Sequence, residues 1–196
     1  MELTIALIRN GMTKTGKKGC YLGTLDEPLL EEEKARIQNK AAEGSYPATQ
    51  LVYTSSMLRC RETARLVYPS IPAIVLKELL PMDLGAFTGH SYNQVILDKQ
   101  LQGWFSSQEA LPPGGGEDSH TFHTRCMLAF QEIIKEMEHK QIATAAAFAH
   151  RDVIGNILQR YCVPRSYYKD WATGYGEGYI LTYDVRTSTA KIKWKI

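Results

Sequence analysis

The sequence carries no strong charge of either sign. Its 23 basic and 21 acidic residues give a formal net charge of +2, which is too small and too evenly spread to indicate a nucleic-acid or membrane surface as a partner. No apolar run is long enough to span a bilayer. The opening residues, MELTIALIRN, lack the basic region and the small-residue cleavage site of a secretory leader. We therefore expect a cytoplasmic protein that binds neither nucleic acid nor membrane.

Cysteine is scarce, and no two cysteines have CxxC spacing, so neither a disulfide framework nor a zinc ribbon is indicated. His120, His123 and Cys126 recur at helical spacing, with His139 further on, and are the candidate ligands for an alternative metal site. Such spacing recurs by chance, and no second ligand cluster supports it. The glycine-rich segment TGYGEGY lacks the GxGxxG spacing of a dinucleotide site. We expect no metal and no other cofactor.

Apolar runs alternate with segments of helical periodicity along the chain. The runs at 3–8, 51–54, 73–76 and 143–149 predict buried strands, and apolar spacing predicts helices over 30–43, 57–68 and 122–138. The alternation indicates an α/β fold, a three-layer sandwich with a mainly parallel central sheet and helices on both faces. The segments YILTYD and AKIKWKI predict a C-terminal hairpin at one edge.

The 196 residues suit a single domain over residues 1–196. We expect a loop or helical insertion over the functional site at about 86–118, since the linker-like stretch LPPGGGEDS falls at its end. The sequence leaves open whether the protein forms a homodimer.

The loop Arg9-Asn10-Gly11 closes the apolar run LTIALI. Ligands of open α/β sheets gather at the carboxyl ends of strands, where side chains and backbone amides converge. An arginine there indicates an anion, because a guanidinium offers a planar fork of donors to a phosphate or a carboxylate. Gly11 would let the backbone approach the ligand closely. We therefore expect an anion site at this loop.

The segment IALIRNGMTKTGKKGCYLGTLDEPL resembles the opening signature of the histidine phosphatase superfamily, which includes the cofactor-dependent phosphoglycerate mutases. That signature reads Arg-His-Gly, so Asn10 stands at the position of the phosphate-accepting nucleophile. An amide nitrogen is not nucleophilic, and transfer through a phosphohistidine at this residue is excluded. The resemblance further implies Arg9 and Gly11 as phosphate contacts, and Thr13 and Gly23 as substrate contacts.

Four later segments match the same superfamily in order, and one of them, ELLPMDLGAFTGHSY, resembles the stretch that supplies the general acid. YTSSMLRCRETA resembles the segment that carries the second phosphate-clamping arginine, here Arg59, and AAAFAHRDVIGNIL resembles the turn that carries the second catalytic histidine, here His150. The resemblance implies that His150 donates a hydrogen bond to the oxygens of the transferring phosphoryl group. LPPGGGEDS also resembles a superfamily segment, and the resemblance puts Glu117 near the pocket rim. There Glu117 would accept a hydrogen bond from a substrate hydroxyl or orient a pocket arginine. The alternative is that Glu117 belongs to the start of the following helix. Arg61 and Arg65 match no motif position and are expected on the helix surface.

The chain departs from the superfamily pattern at several further positions. Relatives often have Glu, Asn and Arg where this sequence has Met12, Gly16 and Cys20, and many have glycine at the position of Arg151. The general-acid position falls on Pro81, which cannot protonate a leaving group. Glu78 and Asp83 are the nearby carboxylates, and Asp83 is the closer in register. So many coordinated departures favour natural divergence over one engineered change.

Taken with the resemblance, these residues predict a phosphomonoesterase-like hydrolase whose activity is impaired or altered by Asn10. The partner would be a small phosphorylated metabolite or inorganic phosphate. The alternative is a noncatalytic pseudoenzyme that binds phosphate esters. A set of aromatic residues near the C-terminus either stacks on a ligand ring or packs the hairpin against the body: Tyr167, Tyr168, Trp171, Tyr175 and Tyr179.

Overall fold

The computed structural model describes residues 1–97, 99, 115–166 and 170–196. The strands are β1 (Glu2–Arg9), β2 (Leu51–Thr54), β3 (Ala73–Val75), β4 (Thr144–Ala149), β5 (Gly178–Asp184) and β6 (Thr189–Lys195). They form one six-stranded sheet in the order β3-β2-β4-β1-β5-β6. The four strands from β3 to β1 are parallel, and β5 and β6 are antiparallel to their neighbours. The predicted mainly parallel sheet with a C-terminal hairpin is confirmed.

The described helices are α1 (Lys14–Lys17), α2 (Glu31–Ala42), α3 (Leu58–Val67), α4 (Tyr92–Leu97), α5 (Ser119–His139) and α6 (Arg151–Tyr161). Three of these helices, α2, α3 and α5, lie where the apolar periodicity predicts them, and the other three were not predicted from it. Short 3₁₀ turns occur at Lys77–Leu79 and Gly85–Phe87. Much of the predicted insertion at about 86–118, including the first part of LPPGGGEDS, lies outside the described residues. In the part of the chain that the structure describes, no helix is both long enough and apolar enough to cross a membrane.

Side chains of β1 alternate between the two faces of the sheet, and each face is covered by helices. Leu3, Ile5 and Leu7 belong to a buried cluster with residues of α5 and α6. Ala6 and Ile8 belong to a second cluster with residues of α2 and α3. Because successive residues of a strand point to opposite faces, this double burial requires an unbroken apolar run such as LTIALI. The three-layer arrangement follows from it.

The register of the sheet brings three strand ends together. Arg9 lies opposite Ala149 in the pairing of β1 with β4, and Thr54 lies opposite Phe148 in the pairing of β2 with β4. Residues 10, 55 and 150 therefore leave the sheet side by side at its carboxyl edge. Gly178 allows β5 to pair closely on the other side of β1, because a Cβ there would overlap the carbonyl oxygen of Leu7.

Candidate active site

A cavity of about 320 Å³ opens at this carboxyl edge. Its charged and polar residues include Arg9 and Asn10 after β1, Arg59 from α3, and His150 and Arg151 at the start of α6. The rest of its described wall consists of Gly16, Gly19, Cys20, Tyr21, Leu22, Gly23, Pro81, Met82, Leu84, Asp152 and Tyr175. The volume is at the lower end of the range for small-molecule sites, and the wall carries three guanidinium groups. Such a cavity has the size and the charge for a small anion.

Arg59 is held at the pocket by the loop that precedes α2. The side chain is 2% exposed, its Nη1 donates to the carbonyl of Leu25 at 2.6 Å, and its Nη2 donates to the carbonyl of Gly23 at 3.0 Å. A buried guanidinium needs such acceptors, since burying an unpaired charge is costly. Gly23, predicted as a substrate contact, lines the pocket and uses its carbonyl to position this arginine.

Arg9 is oriented by the segment before β5. Its Nη1 donates to the carbonyl of Thr173 at 2.6 Å, and its Cζ atom lies 3.7 Å from the ring centroid of Tyr175. A Cβ on Gly16 would lie 2.6 Å from Oη of Tyr175. The glycine therefore leaves the space that the tyrosine occupies, and the ring stacks on the pocket arginine. Sequence reasoning missed this role of Tyr175.

The aromatic residues around Tyr175 serve a different purpose. The rings of Trp171 and Tyr179 meet edge to face with centroids 5.8 Å apart, and Trp171 packs against the main buried cluster. This contact is of the hairpin-packing kind predicted for the aromatic set. Tyr167 and Tyr168 lie outside the described residues.

Asn10 lies in the pocket wall at the end of β1. It is 5% exposed, and its Nδ2 donates to the carbonyl of Gly11 at 2.8 Å. Its backbone amide donates to the carbonyl of Ala149 at 2.9 Å, which fixes it beside the end of β4. A carboxamide in this place can donate or accept a hydrogen bond but cannot form a phosphoramidate as an imidazole does.

His150 caps α6 and points its ring toward the end of β2. Its Nε2 lies 2.9 Å from Oγ of Ser55 and 3.5 Å from Sγ of Cys60. Burial, followed by the charges of Arg59, Arg125 and Arg9, holds the pKa of His150 well below its ordinary value of 6.5. The imidazole is therefore neutral at neutral pH. The sequence segment around Ser55 matched the superfamily, but nothing in it indicated this contact.

Neither Ser55 nor Cys60 is placed to act as a nucleophile in the cavity. Both are 0% exposed, and neither belongs to the pocket wall. Burial raises the pKa of the Cys60 thiol to about 12, so the sulfur stays protonated at neutral pH, and the thiolate is the reactive form. Both side chains face His150 from behind rather than from the cavity.

Two residues predicted to contact the ligand lie away from the pocket. The amide of Gly11 donates to Oγ1 of Thr63 at 2.9 Å, and a Cβ on this glycine would lie 2.6 Å from Cδ1 of Ile37. Glycine is needed here for packing against α2, not for the approach of a ligand. Thr13 is 0% exposed, and its Oγ1 caps α1 by accepting from the amide of Gly16 at 3.2 Å.

The predicted acidic residues also do not reach the pocket wall. Asp83 is exposed, and its Oδ1 accepts from the amide of Gly85 at 3.0 Å. Glu117 forms a two-pronged ion pair with Arg125, with Nε to Oε1 at 2.6 Å and Nη2 to Oε2 at 2.7 Å. Of the roles considered for Glu117, orienting an arginine fits best, but Arg125 itself is not in the pocket wall. The cap of α5 is Asp118.

Arg125 was not indicated by any motif. Its Nη1 donates to the carbonyls of Glu78 and Leu80 at 2.9 and 2.6 Å, and its Nη2 donates to the carbonyl of Pro81 at 2.8 Å. This arginine therefore fixes the segment that presents Pro81 to the cavity. Pro81, which the resemblance puts at the general-acid position, is thus a buried proline in a segment that Arg125 holds in place.

The alternative metal site does not form. Over the described ranges, no group of three or more His, Cys, Asp or Glu residues is arranged to hold a metal ion. Nδ1 of His123 lies 3.0 Å from Oδ1 of Asn156, and Cys126 is buried in the core. Arg61 and Arg65 are exposed on α3, as predicted.

Comparison with solved structures relates this architecture to known proteins. The alpha-ribazole phosphatase from Shigella flexneri superposes with a TM-score of 0.80 at 20% identity, over 97% of this chain and 95% of that one. The phosphoglycerate mutase from Bacillus anthracis superposes with a TM-score of 0.79 at 17% identity, over 98% and 92%. At these identities the likeness establishes the shared fold.

Sequence comparison gives independent evidence. The chain is 28% identical over 125 residues to a 2,3-bisphosphoglycerate-dependent phosphoglycerate mutase from Parvibaculum lavamentivorans, and this match spans 60% of that relative's length. The family model of the histidine phosphatase superfamily (branch 1) matches residues 5–193. That match runs from the strand bearing the Arg9 loop to the last strand of the hairpin. The protein with this arginine-lined, asparagine-bearing pocket therefore belongs to the histidine phosphatase superfamily, branch 1.

Proposed function

We propose that this protein binds the phosphoryl group of a small phosphate monoester, or inorganic phosphate, in the pocket between Arg9, Arg59 and His150. We further propose that it hydrolyses such esters slowly and without a phosphohistidine at residue 10. The observation that carries this proposal is the convergence of Arg9 and Arg59 on one cavity at the start of α6. A helix N-terminus adds backbone amides and a positive dipole end to the two guanidinium groups.

The expected affinity follows from these contacts. A hydrogen bond to a charged group contributes about 1.5–3 kcal/mol, so two arginines and one imidazole support dissociation constants from roughly micromolar to millimolar. No nucleophile is needed for binding of this strength. The low pKa of His150 keeps it neutral when the pocket is empty, so it would act as a hydrogen-bonding group rather than as a third cation.

A hydrolase accounts for this pocket better than a mutase. A mutase must keep a phosphorylated histidine and exclude water from it, whereas residue 10 is an asparagine and cannot be phosphorylated in that way. Among the structural neighbours, the Shigella protein is an alpha-ribazole phosphatase and the Bacillus protein a phosphoglycerate mutase. Asn10 favours hydrolysis by direct attack of water on the bound ester.

A noncatalytic phosphate-ester binder is the second candidate. Two residues of the cavity wall support it, Asn10 and Pro81, which the resemblance puts at the nucleophile and general-acid positions. Such a protein would sense or sequester its ligand with the same arginines. The two candidates share the binding step and differ only in turnover.

Binding and turnover should be measured together on the unmodified protein and on its Asn10→His variant. We expect inorganic phosphate to bind the unmodified protein in a calorimetric titration, and an aryl phosphate to be hydrolysed slowly. Binding without any detectable hydrolysis would favour the noncatalytic binder. Failure of phosphate and of a panel of phosphate esters to bind would refute the proposed function altogether.

A further inference from the structure

Asp152 is the one carboxylate among the described residues that line the cavity. It lies in the first turn of α6, two positions after His150 and directly after Arg151. It is partly exposed, so solvent has access to it. A carboxylate is favoured in the first turn of a helix because the helix dipole and the free amides stabilise negative charge there.

Among the described residues, Asp83, Glu117 and His150 are less well placed than Asp152 to accept a proton. Asp83 and Glu117 are not in the described wall of the cavity, and they bind the amide of Gly85 and the guanidinium of Arg125. His150 is in the wall, but its Nε2 contacts Ser55. Its low pKa also makes it a weak proton acceptor. Asp152 is thus the carboxylate placed to accept a proton inside the pocket.

We propose that Asp152 accepts a proton from the water molecule that attacks the bound phosphoryl group. The oxygen of this water forms a bond to phosphorus while the bond from phosphorus to the ester oxygen breaks. The electron pair of the broken bond leaves with the ester oxygen, which takes a proton from solvent. The attacking water gives one proton to the Asp152 carboxylate and keeps the other as a hydroxyl of the phosphate product. Asp152 then releases its proton to solvent, which restores the carboxylate. Inorganic phosphate and an alcohol are released, and no covalent intermediate forms.

This inference rests on the proposed function, since it assigns the proton acceptor for hydrolysis in the same pocket. It also accounts for a pocket with Asn10 in its wall, because direct attack by water needs no protein nucleophile. Phosphoryl transfer depends mainly on positioning and charge, so the base adds a limited factor. General-base catalysis contributes about 100-fold at the lower end of its usual range.

The test compares Asp152→Asn with Asp184→Asn in the full-length chain. Asp184 lies at the end of β5 that pairs with Glu2, far from the cavity. Its substitution by asparagine is the matched control, because it removes the same functional group. We expect Asp152→Asn to lower kcat for 4-nitrophenyl phosphate roughly 100-fold. The dissociation constant for inorganic phosphate should rise or fall by less than about threefold, and Asp184→Asn should match the unmodified protein. Melting curves of both variants establish that they are folded.

The stereochemical course gives a second, independent readout. Direct attack by water inverts the configuration of an isotopically chiral phosphate monoester, whereas a double displacement retains it. Retention, or an unchanged kcat in Asp152→Asn, would overturn the inference. So would the complete absence of hydrolysis by a protein that binds phosphate, and in that case the binding half of the proposed function would stand. If the unmodified protein does not bind phosphate, the proposed function itself is refuted.

Discussion

The Nε2 atom of His150 and the Oγ atom of Ser55 lie 2.9 Å apart and join the ends of β4 and β2. The amide of Met57 donates to the same oxygen at 3.3 Å. This contact fixes the imidazole ring at the rear of the pocket. Burial and three arginines keep its pKa low, so the folded protein carries a neutral histidine where the unfolded chain would carry one that titrates normally.

The stability of the protein should therefore fall on mild acidification. Below pH 6.5, the ordinary value, the unfolded chain binds a proton at His150 and the folded protein does not. The free energy of unfolding is therefore highest above pH 6.5. It falls as the pH drops from 6.5 toward the pKa of His150 in the folded protein. Thermal melting in phosphate-free buffer between about pH 7.5 and pH 5.5 measures this. His150→Gln should show a smaller loss over that interval, and an equal loss in both proteins would contradict the assignment.

Arg59→Ala should weaken phosphate binding more than Glu117→Ala does. Losing one charge-assisted contact costs about 1.5–3 kcal/mol, or roughly 10- to 100-fold in the dissociation constant. Glu117 pairs with Arg125 outside the cavity, so its removal should change affinity by less than about threefold. Arg61→Ala, an exposed change on the same helix, is the matched control. Calorimetric titration decides the order, and the reverse order would remove Arg59 from the clamp.

Tyr175→Ala should lower phosphate affinity by releasing the guanidinium of Arg9. The ring centroid lies 3.7 Å from Cζ of this arginine, and a stacked cation contributes about 0.5–2 kcal/mol. We expect a dissociation constant about 3- to 30-fold higher, and Tyr175→Phe, which keeps the ring, should bind nearly as the unmodified protein does. Equal losses in both variants would show that the hydroxyl, not the ring, is what matters.

Asn10→His should restore turnover in a way that depends on the leaving group. An aryl oxide leaves without protonation, so the histidine alone should raise hydrolysis of an aryl phosphate by about 100-fold or more. An alkyl phosphate needs a proton donor, and Pro81 provides none. Only the double variant with Pro81→Glu should accelerate that substrate. Acid-labile phosphoenzyme should appear in both variants, and its absence in both would show that residue 10 is not placed for transfer.

The sequence predicted the fold and the strand-end pocket because both depend on local signals. An apolar run that stops at Arg9 and another that stops at His150 must end at the same edge of a parallel sheet, and the structure brings these residues and Arg59 to one cavity. Three-layer packing is equally local, since the runs of β1, β2 and β4 are buried on both faces. The prediction of a buried strand at 73–76 was wrong, because β3 is an edge strand with Ala73 and Val75 exposed. The layers and the Arg9 loop required no knowledge of long-range contacts, whereas Arg59 and His150 were assigned to the pocket by the resemblance.

Contacts between distant segments could not be read in the same way. Arg125 of α5 contacts Glu117 and also the carbonyls of Glu78, Leu80 and Pro81, which precede it by 44 to 47 positions. Tyr175 reaches Arg9 from a loop 166 positions further along the chain, through space left by Gly16. Gly11 matched a ligand-binding motif, yet its neighbour is Ile37 of α2. Side-chain partners of this kind are set by tertiary packing, for which one sequence carries no direct signal.

The two carbonyls that hold Arg59 couple the pocket to the backbone of residues 23–25. The same guanidinium that would face an anion also fastens this loop to α3. Occupancy of the pocket would therefore restrain Arg59 and, through it, the loop. Amide hydrogen exchange in residues 22–26 should slow when phosphate binds, and this loop would then report ligand occupancy without turnover or an added label.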